Sequence, residues 1–290
     1  MKNLNRRTFL SKSGKGLTAS LALSGFSFPV ILKNMGLVIE QPFGFQTWIV
    51  REELAKDFPG TLKIMASEGY QQMEMCSPEG YVDAGFGPLT KIKPADMKKI
   101  INDAGLSCPS CHFGFSELTD KLDERIEFSR QLGLSVMVCS SFNLPKTAVL
   151  DDYLKAADKL NNAAEKIKKA GMQTGYHNHE TEFAKLDNLL IYDALMNRFN
   201  PDLVRMQFQT EVINIGYKAS TYFNKYPGRF ISAHLSDWTA DKKEVPIGQG
   251  IINWTEFFAA AKTGGVKYFY IEMNFDTMAS SAAYLKQLTL

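Results

Sequence analysis

One pattern repeats eight times in this 290-residue chain after residue 42: a short apolar run, a polar turn and a segment with helical spacing. The apolar runs cover residues 43–50, 70–76, 106–112, 135–141, 172–177, 203–209, 230–235 and 267–273. Glycines such as Gly105 and Gly171 follow the helical segments, which is where helices commonly end. Strands that alternate with helices predict a parallel sheet, and eight such units in about 250 residues predict a closed barrel. We therefore predict a single α/β domain, a (β/α)8 TIM barrel, over residues 42–290.

An open, doubly wound sheet is the alternative arrangement of the same elements. Such a sheet commonly carries a glycine-rich, phosphate-binding loop after its first strand. Residues 44–48 read Gly-Phe-Gln-Thr-Trp and do not form such a loop. No low-complexity linker divides the chain, so the pattern favours one barrel.

The first 35 residues have the pattern of an export signal rather than of a folded segment. Arg6 and Arg7 form a twin-arginine motif, and a moderately apolar run follows over residues 17–32. This run contains Pro29 and is too weakly apolar for a stable membrane span. We predict that residues 1–35 direct twin-arginine-type export to the periplasm or another exported location. The alternative is a basic amphipathic extension.

The composition is that of an ordinary globular protein, with 45% hydrophobic and 22% charged residues and a net charge of +2. No basic stripe with interleaved aromatic residues is present, so we predict no nucleic-acid partner. Cys108 and Cys111 form a lone C-x-x-C motif without the second pair that a zinc ribbon needs. Buried free thiols are therefore the favoured interpretation of the cysteines.

The predicted strand ends carry residue types that bind metals or transfer protons. Catalytic groups of TIM barrels lie at the carboxyl ends of the strands. The residues found there are Glu74, His112, His177, His179, Gln209, His234, Asp237 and Glu272. All four histidines of the chain are in this set, which predicts a metal enzyme.

These residues and several short motifs resemble the xylose isomerase-like TIM-barrel superfamily, which includes sugar phosphate isomerase/epimerase-type proteins. The motifs are residues 44–48, Tyr176-His177-Asn178-His179 with Glu182-Phe183, His234-Leu235-Ser236-Asp237, Gly248-Gln249-Gly250 before Ile252-Asn253-Trp254, and Glu272. The resemblance covers about residues 42–290 and is greatest to an exported branch found beside sugar-degrading enzymes.

The resemblance implies one divalent metal ion held by Glu, Asp, His and Glu from the fifth to eighth strands. Carried over to this chain, the His is His234 and the last Glu is Glu272. His177 occupies the first Glu position, with Glu182 five residues later as a replacement, and Gln209 occupies the Asp position. An amide is a weaker ligand than a carboxylate. The expected ligands are therefore His234, Glu272, Gln209 and Glu182, with His177 or Glu211 as alternatives, around Mn, Mg, Co or Zn.

The resemblance further implies an enzyme that abstracts a proton next to the carbonyl group of a sugar or keto-sugar. Such an enzyme would be a metal-dependent isomerase, epimerase or keto-glycoside lyase. The expected catalytic residues are Glu272, His177, His179 and Glu74, and the expected substrate contacts are His112, Trp48, Asp237 and Trp238. The alternative is a non-catalytic carbohydrate-binding barrel derived from such an enzyme. An endonuclease is disfavoured because the chain has no basic groove signal. The sequence predicts neither the sugar nor the oligomeric state.

Overall fold

The computed structural model describes residues 42–288, which contain a closed barrel of eight parallel strands. In chain order these are β1 (Phe43–Gln46), β2 (Gln72–Cys76), β3 (Ser107–Phe113), β4 (Val136–Cys139), β5 (Gln173–His177), β6 (Val204–Gln209), β7 (Phe230–Leu235) and β8 (Tyr268–Ile271). Each strand pairs with its neighbours in the chain, and β8 closes the barrel against β1, with Gly44 beside Tyr270. The predicted TIM barrel is confirmed. The predicted export segment lies outside the described residues.

Ten α-helices connect or flank these strands within the described part of the chain. They are α1 (Arg51–Lys56), α2 (Phe58–Glu68), α3 (Pro94–Asp103), α4 (Phe115–Asp120), α5 (Leu122–Leu132), α6 (Leu150–Lys169), α7 (Ile191–Arg198), α8 (Ala219–Lys225), α9 (Trp254–Gly264) and α10 (Met278–Gln287). Two short hairpins lie in the loops that follow β5 and β7, formed by Lys185–Leu186 with Leu189–Leu190 and by Asp237–Trp238 with Glu244–Val245.

Helix α6 shows how local sequence determines an element of this barrel. Its buried residues include Leu160, Ala164 and Ile167, which recur at the three- and four-residue spacing of one helical face. At the start of the helix, the Asp152 carboxylate accepts a hydrogen bond from a backbone N–H, at 3.0 Å. Gly171 follows the helix with φ of 86°, a left-handed conformation that glycine adopts without steric cost.

The apolar core lies in two places. Most buried apolar side chains form one cluster that includes the outward-facing residues of the strands, such as Met137, and those of the helices. Val136 and Val138 point to the opposite side of β4 and pack with Ile231 and the partly buried Tyr268. This second cluster therefore fills the interior of the barrel away from the site described below.

The four cysteines of the chain are buried and free, as predicted. None of the helices within residues 42–288 combines the length and apolarity needed to span a bilayer.

Candidate active site

A cavity of about 970 Å³ opens at the carboxyl end of the barrel. Side chains from the ends of all eight strands or from the loops after them line it. This is the face where TIM barrels place their reactive groups. Trp48, Trp238 and His179, three of the predicted site residues, lie on its walls.

Below the cavity, the Glu74 carboxylate is the centre of a buried hydrogen-bond network. Its Oε1 accepts hydrogen bonds from Ser110 Oγ at 2.6 Å and from Gln207 Nε2 at 2.8 Å. Its Oε2 accepts from Gln46 Nε2 at 2.7 Å and from His234 Nε2 at 2.5 Å. Glu74 has no exposed surface, so each of these bonds replaces hydration that burial removed.

His234 is held between two carboxylates. Its Nε2 faces Glu74 at 2.5 Å, and its Nδ1 faces Glu272 Oε2 at 2.8 Å. Burial alone would lower the pKa of the His234 imidazole, but the two negative neighbours outweigh it and raise the pKa to about 10. Burial likewise opposes ionisation of Glu74 and Glu272, yet the adjacent histidines hold the pKa of both carboxyls below the usual range. The three groups therefore form a charged chain, carboxylate–imidazolium–carboxylate, that ends at the cavity.

Three imidazoles meet at the floor of the cavity. His112, His177 and His234 each offer one ring nitrogen, and these nitrogens all lie within 4.8 Å of one another. His177 is buried and its Nδ1 has no hydrogen-bond partner. A buried nitrogen without a partner is costly, and a bound cation would satisfy it. The donor set therefore fits a divalent metal ion, and its imidazole content suits zinc or another borderline cation.

Glu272 and Gln209 complete the inner wall. Gln209 Nε2 donates to Glu272 Oε2 at 2.6 Å, the same oxygen that His234 contacts. The side chain of Glu272 is 19% exposed and lines the cavity, so Oε1 is the oxygen left to meet a ligand. Gln209 Oε1 is buried and has no hydrogen-bond partner. Both side chains can therefore still accept a bond from a ligand or a cation.

Residues 62–288 match the family model for the xylose isomerase-like TIM barrel. The chain belongs to this family. A comparison with curated proteins gave no match. Among solved structures, a sugar phosphate isomerase/epimerase from Parabacteroides distasonis ATCC 8503 is 27% identical with a TM-score of 0.74. The alignment covers 85% of this chain and 93% of that chain.

Two more distantly similar solved structures share the fold. An L-ribulose 3-epimerase is 15% identical with a TM-score of 0.59, and the alignment covers 84% of this chain and 86% of that chain. The IOLI protein with a binding zinc atom is 14% identical with a TM-score of 0.65, at 85% and 94% coverage.

Four predicted site residues of this xylose isomerase-like barrel do not line the cavity. Glu74 and His234 are buried beneath it, and Glu182 and Asp237 face neighbouring loops. Glu182 is buried, and its carboxylate accepts from Tyr176 Oη and the His179 backbone N–H, both at 2.8 Å. Asp237 is also buried. It accepts from the backbone N–H groups of Gly248, Gly250 and Ile252 and from the Trp254 indole. Both carboxylates therefore organise loops beside the site.

Sequence reasoning missed several residues that shape the site. Gln207 joins Glu74 to His112, whose Nε2 lies 2.6 Å from Gln207 Oε1. Gln207 precedes Gln209 by two residues on β6, so the two side chains share one face of the strand. This spacing could have identified Gln207 from the sequence. The loop residues of the cavity, among them Glu244, Tyr81, Phe115 and Phe142, follow no spacing rule and could not have been found this way.

Proposed function

We propose that this protein is a divalent-metal-dependent enzyme that removes and returns a proton at the carbon next to the carbonyl group of a sugar. The observation that carries the proposal is the charged chain Glu74–His234–Glu272, which ends in a carboxylate oxygen at the cavity. The similarity to a sugar phosphate isomerase/epimerase and to an L-ribulose 3-epimerase supports it. The reaction class is isomerisation, epimerisation or keto-glycoside cleavage, all of which begin with this proton transfer.

The ligands proposed for the metal are the nitrogens of His112, His177 and His234, with Glu272 and Gln209 beside them. His234 would have to give up a proton to bind a cation, since both of its nitrogens now face carboxylates. When bound, the ion would polarise the sugar carbonyl and acidify the neighbouring C–H group.

The protein's own groups would carry the proton. Glu272 offers Oε1 as the base, and the bond from Gln209 Nε2 to Oε2 holds its carboxylate in one orientation. His179 lies exposed on the cavity wall after β5, with two strands between it and β8. We assign it the second proton transfer, to another face of the sugar or to a departing oxygen. Glu74 has no exposed surface and therefore positions His234 rather than touching the substrate.

The charge of the cavity favours an unphosphorylated sugar. The cavity is lined by three carboxylates, Glu211, Glu244 and Glu272. Among the described residues, Arg51 is the only Lys or Arg that lines it. The Arg51 guanidinium already donates to the Trp48 carbonyl at 2.7 Å and lies 4.5 Å from the Trp48 ring centroid. A phosphate group would be repelled by these carboxylates, and the one guanidinium is already hydrogen-bonded to Trp48. Sugar hydroxyls, in contrast, can donate hydrogen bonds to the carboxylates.

The experiment is metal analysis of the purified full chain, combined with solvent-deuterium exchange on a panel of ketoses and keto-glycosides. We expect about one divalent ion per chain, since the three imidazoles offer one shared site. We also expect deuterium at the carbon next to the carbonyl of at least one sugar. A protein that binds sugar without exchange or product would instead be a non-catalytic carbohydrate-binding barrel. Gln209 in place of an acidic ligand is the observation that favours that second function.

We infer from the twin-arginine motif that the protein acts outside the cytoplasm. Changing both Arg6 and Arg7 to lysine should retain the full chain in the cytoplasm, because twin-arginine export reads that pair. Cell fractionation and immunoblotting of wild type and variant measure this. Equal amounts of both proteins in the periplasmic fraction would refute a twin-arginine route.

A further inference from the structure

The two halves of the cavity differ in chemistry. Its three carboxylates, Glu211, Glu244 and Glu272, all come from the ends of β6, β7 and β8 or the loops after them. Four of its six Phe, Tyr and Trp side chains come instead from the loops after β1 to β4. These four are Trp48, Tyr81, Phe115 and Phe142, which we call the aromatic wall. Because strands that follow one another in the chain are neighbours around the barrel, the aromatic wall occupies one side of the cavity.

The aromatic wall is held in place by its own contacts. Trp48 and Tyr81 pack edge to face with ring centroids 6.1 Å apart, and Phe115 and Phe142 do so at 5.0 Å. Tyr81 Oη donates to Ser140 Oγ at 2.6 Å, which ties the loop after β2 to the loop after β4. Rings that are already ordered lose little further freedom when a ligand stacks on them.

A buried carboxylate supports the same wall from behind. Glu117 Oε1 accepts from Ser77 Oγ at 2.7 Å, and its Oε2 accepts from the Gly114 N–H at 2.8 Å. Ser77 begins the loop that carries Tyr81, and Gly114 immediately precedes Phe115. The exposed parts of the wall, such as Trp48 at 37% exposure, are therefore a built surface.

The cavity is large enough for more than one sugar ring. At about 970 Å³ it lies near the top of the range of about 300–1,000 Å³ for cavities that enclose drug-sized ligands. One ring placed over Glu272 and the three imidazoles would leave the aromatic wall uncovered. A flat ring with an apolar face is the chemistry that stacks on such a surface.

We propose that the cavity has two subsites and that its ligand is a glycoside. The reacting sugar lies over the polar floor, and a second ring, joined through the glycosidic oxygen, stacks on the aromatic wall. The second ring is an aromatic aglycone or another sugar, both of which present a flat apolar face. This inference rests on the proposed function for the identity of the first subsite.

The test is a calorimetric binding measurement with the full chain and glycosides that need not react. Methyl, phenyl and glucosyl β-glycosides of glucose, galactose and xylose are compared at equal ionic strength. We expect the phenyl or the glucosyl compound of at least one sugar to bind about tenfold or more tightly than the methyl compound. A tighter phenyl compound identifies an aromatic aglycone, and a tighter glucosyl compound identifies a second sugar.

Variants locate the second ring. Trp48→Ala and Phe115→Ala should remove most of this preference and change binding of the methyl compound less than threefold. Phe275→Ala is the matched control, because Phe275 is also 37% exposed and lines the cavity after β8. It should retain the preference. Circular dichroism confirms that each variant is folded.

Two results would overturn the proposal. One is that no phenyl or glucosyl compound binds more tightly than its methyl counterpart, including the case in which none binds. The other is that the Trp48 and Phe115 variants weaken all compounds equally. A protein that shows the preference but exchanges no carbon-bound hydrogen would contradict the proposed reaction and leave the two subsites standing.

Discussion

Glu272→Gln should reduce solvent-deuterium exchange at the sugar carbon next to the carbonyl by about a hundredfold or more, the usual scale for loss of a general base. Glutamine keeps the size of the side chain and an oxygen that can accept from Gln209 and His234, which now contact Oε2 at 2.6 and 2.8 Å. It removes the negative charge and the basicity of Oε1. The readout is the rate of deuterium incorporation, followed by mass spectrometry together with metal content per chain.

The metal measurement separates two causes of a slow variant. If the variant keeps its ion and loses exchange, Glu272 acts on the proton; if it loses the ion, Glu272 acts as a ligand. Glu165→Gln is the control, since Glu165 is exposed on α6, and it should exchange at the wild-type rate. Wild-type exchange by a metal-loaded Glu272→Gln protein would exclude Glu272 as the base.

Glu74→Gln should lower the free energy of unfolding by about 3–5 kcal/mol, the cost of removing one partner from a buried ion pair. The groups that point at this carboxylate are donors: Gln46 Nε2, Ser110 Oγ, Gln207 Nε2 and His234 Nε2. A glutamine would turn its own N–H groups toward some of these donors and would leave the His234 cation with one carboxylate fewer. The measurement is urea unfolding of the chelator-treated protein, followed by circular dichroism.

Two comparisons make the Glu74 result interpretable. The exposed Glu165→Gln change should alter the unfolding free energy by less than about 0.5 kcal/mol. Glu74→Gln should also weaken metal binding, because His234 would lose the partner at its Nε2. An unfolding curve that matches the wild type would show that Glu74 is not ionised in the folded protein.

The fold was predictable because its signal is periodic and repeated. Each apolar run needs a neighbouring strand and a covering helix, and only a closed sheet accommodates eight such units without an edge. The strand bounds were less accurate: β1 ends at Gln46, whereas the apolar run continues to Val50 as a short 3-10 helix. Apolarity marks burial, and it does not distinguish a strand from the buried turn that follows.

The site was predictable only where strand ends determine it. His234 and Glu272 end neighbouring strands, so their contact at 2.8 Å follows from the barrel. Glu182 and Asp237 stand at equally suitable positions in sequence, yet their carboxylates satisfy nearby backbone N–H groups. Whether a carboxylate turns toward a loop or a cavity depends on the path of the loop, which residue spacing does not encode.

The hydrogen bonds of Glu74 have an evolutionary consequence. Through this one side chain of β2, groups on β1, β3, β6 and β7 are joined inside the barrel. A substitution on the floor would therefore alter chemistry and folding together, and most such changes would be lost through misfolding before their activity could be selected. The hydrogen bonds that hold the aromatic wall, from Tyr81 to Ser140 and from Ser77 to Glu117, join loops on one side of the barrel. New substrates should accordingly be acquired by changes at the rim, while the reaction stays the same.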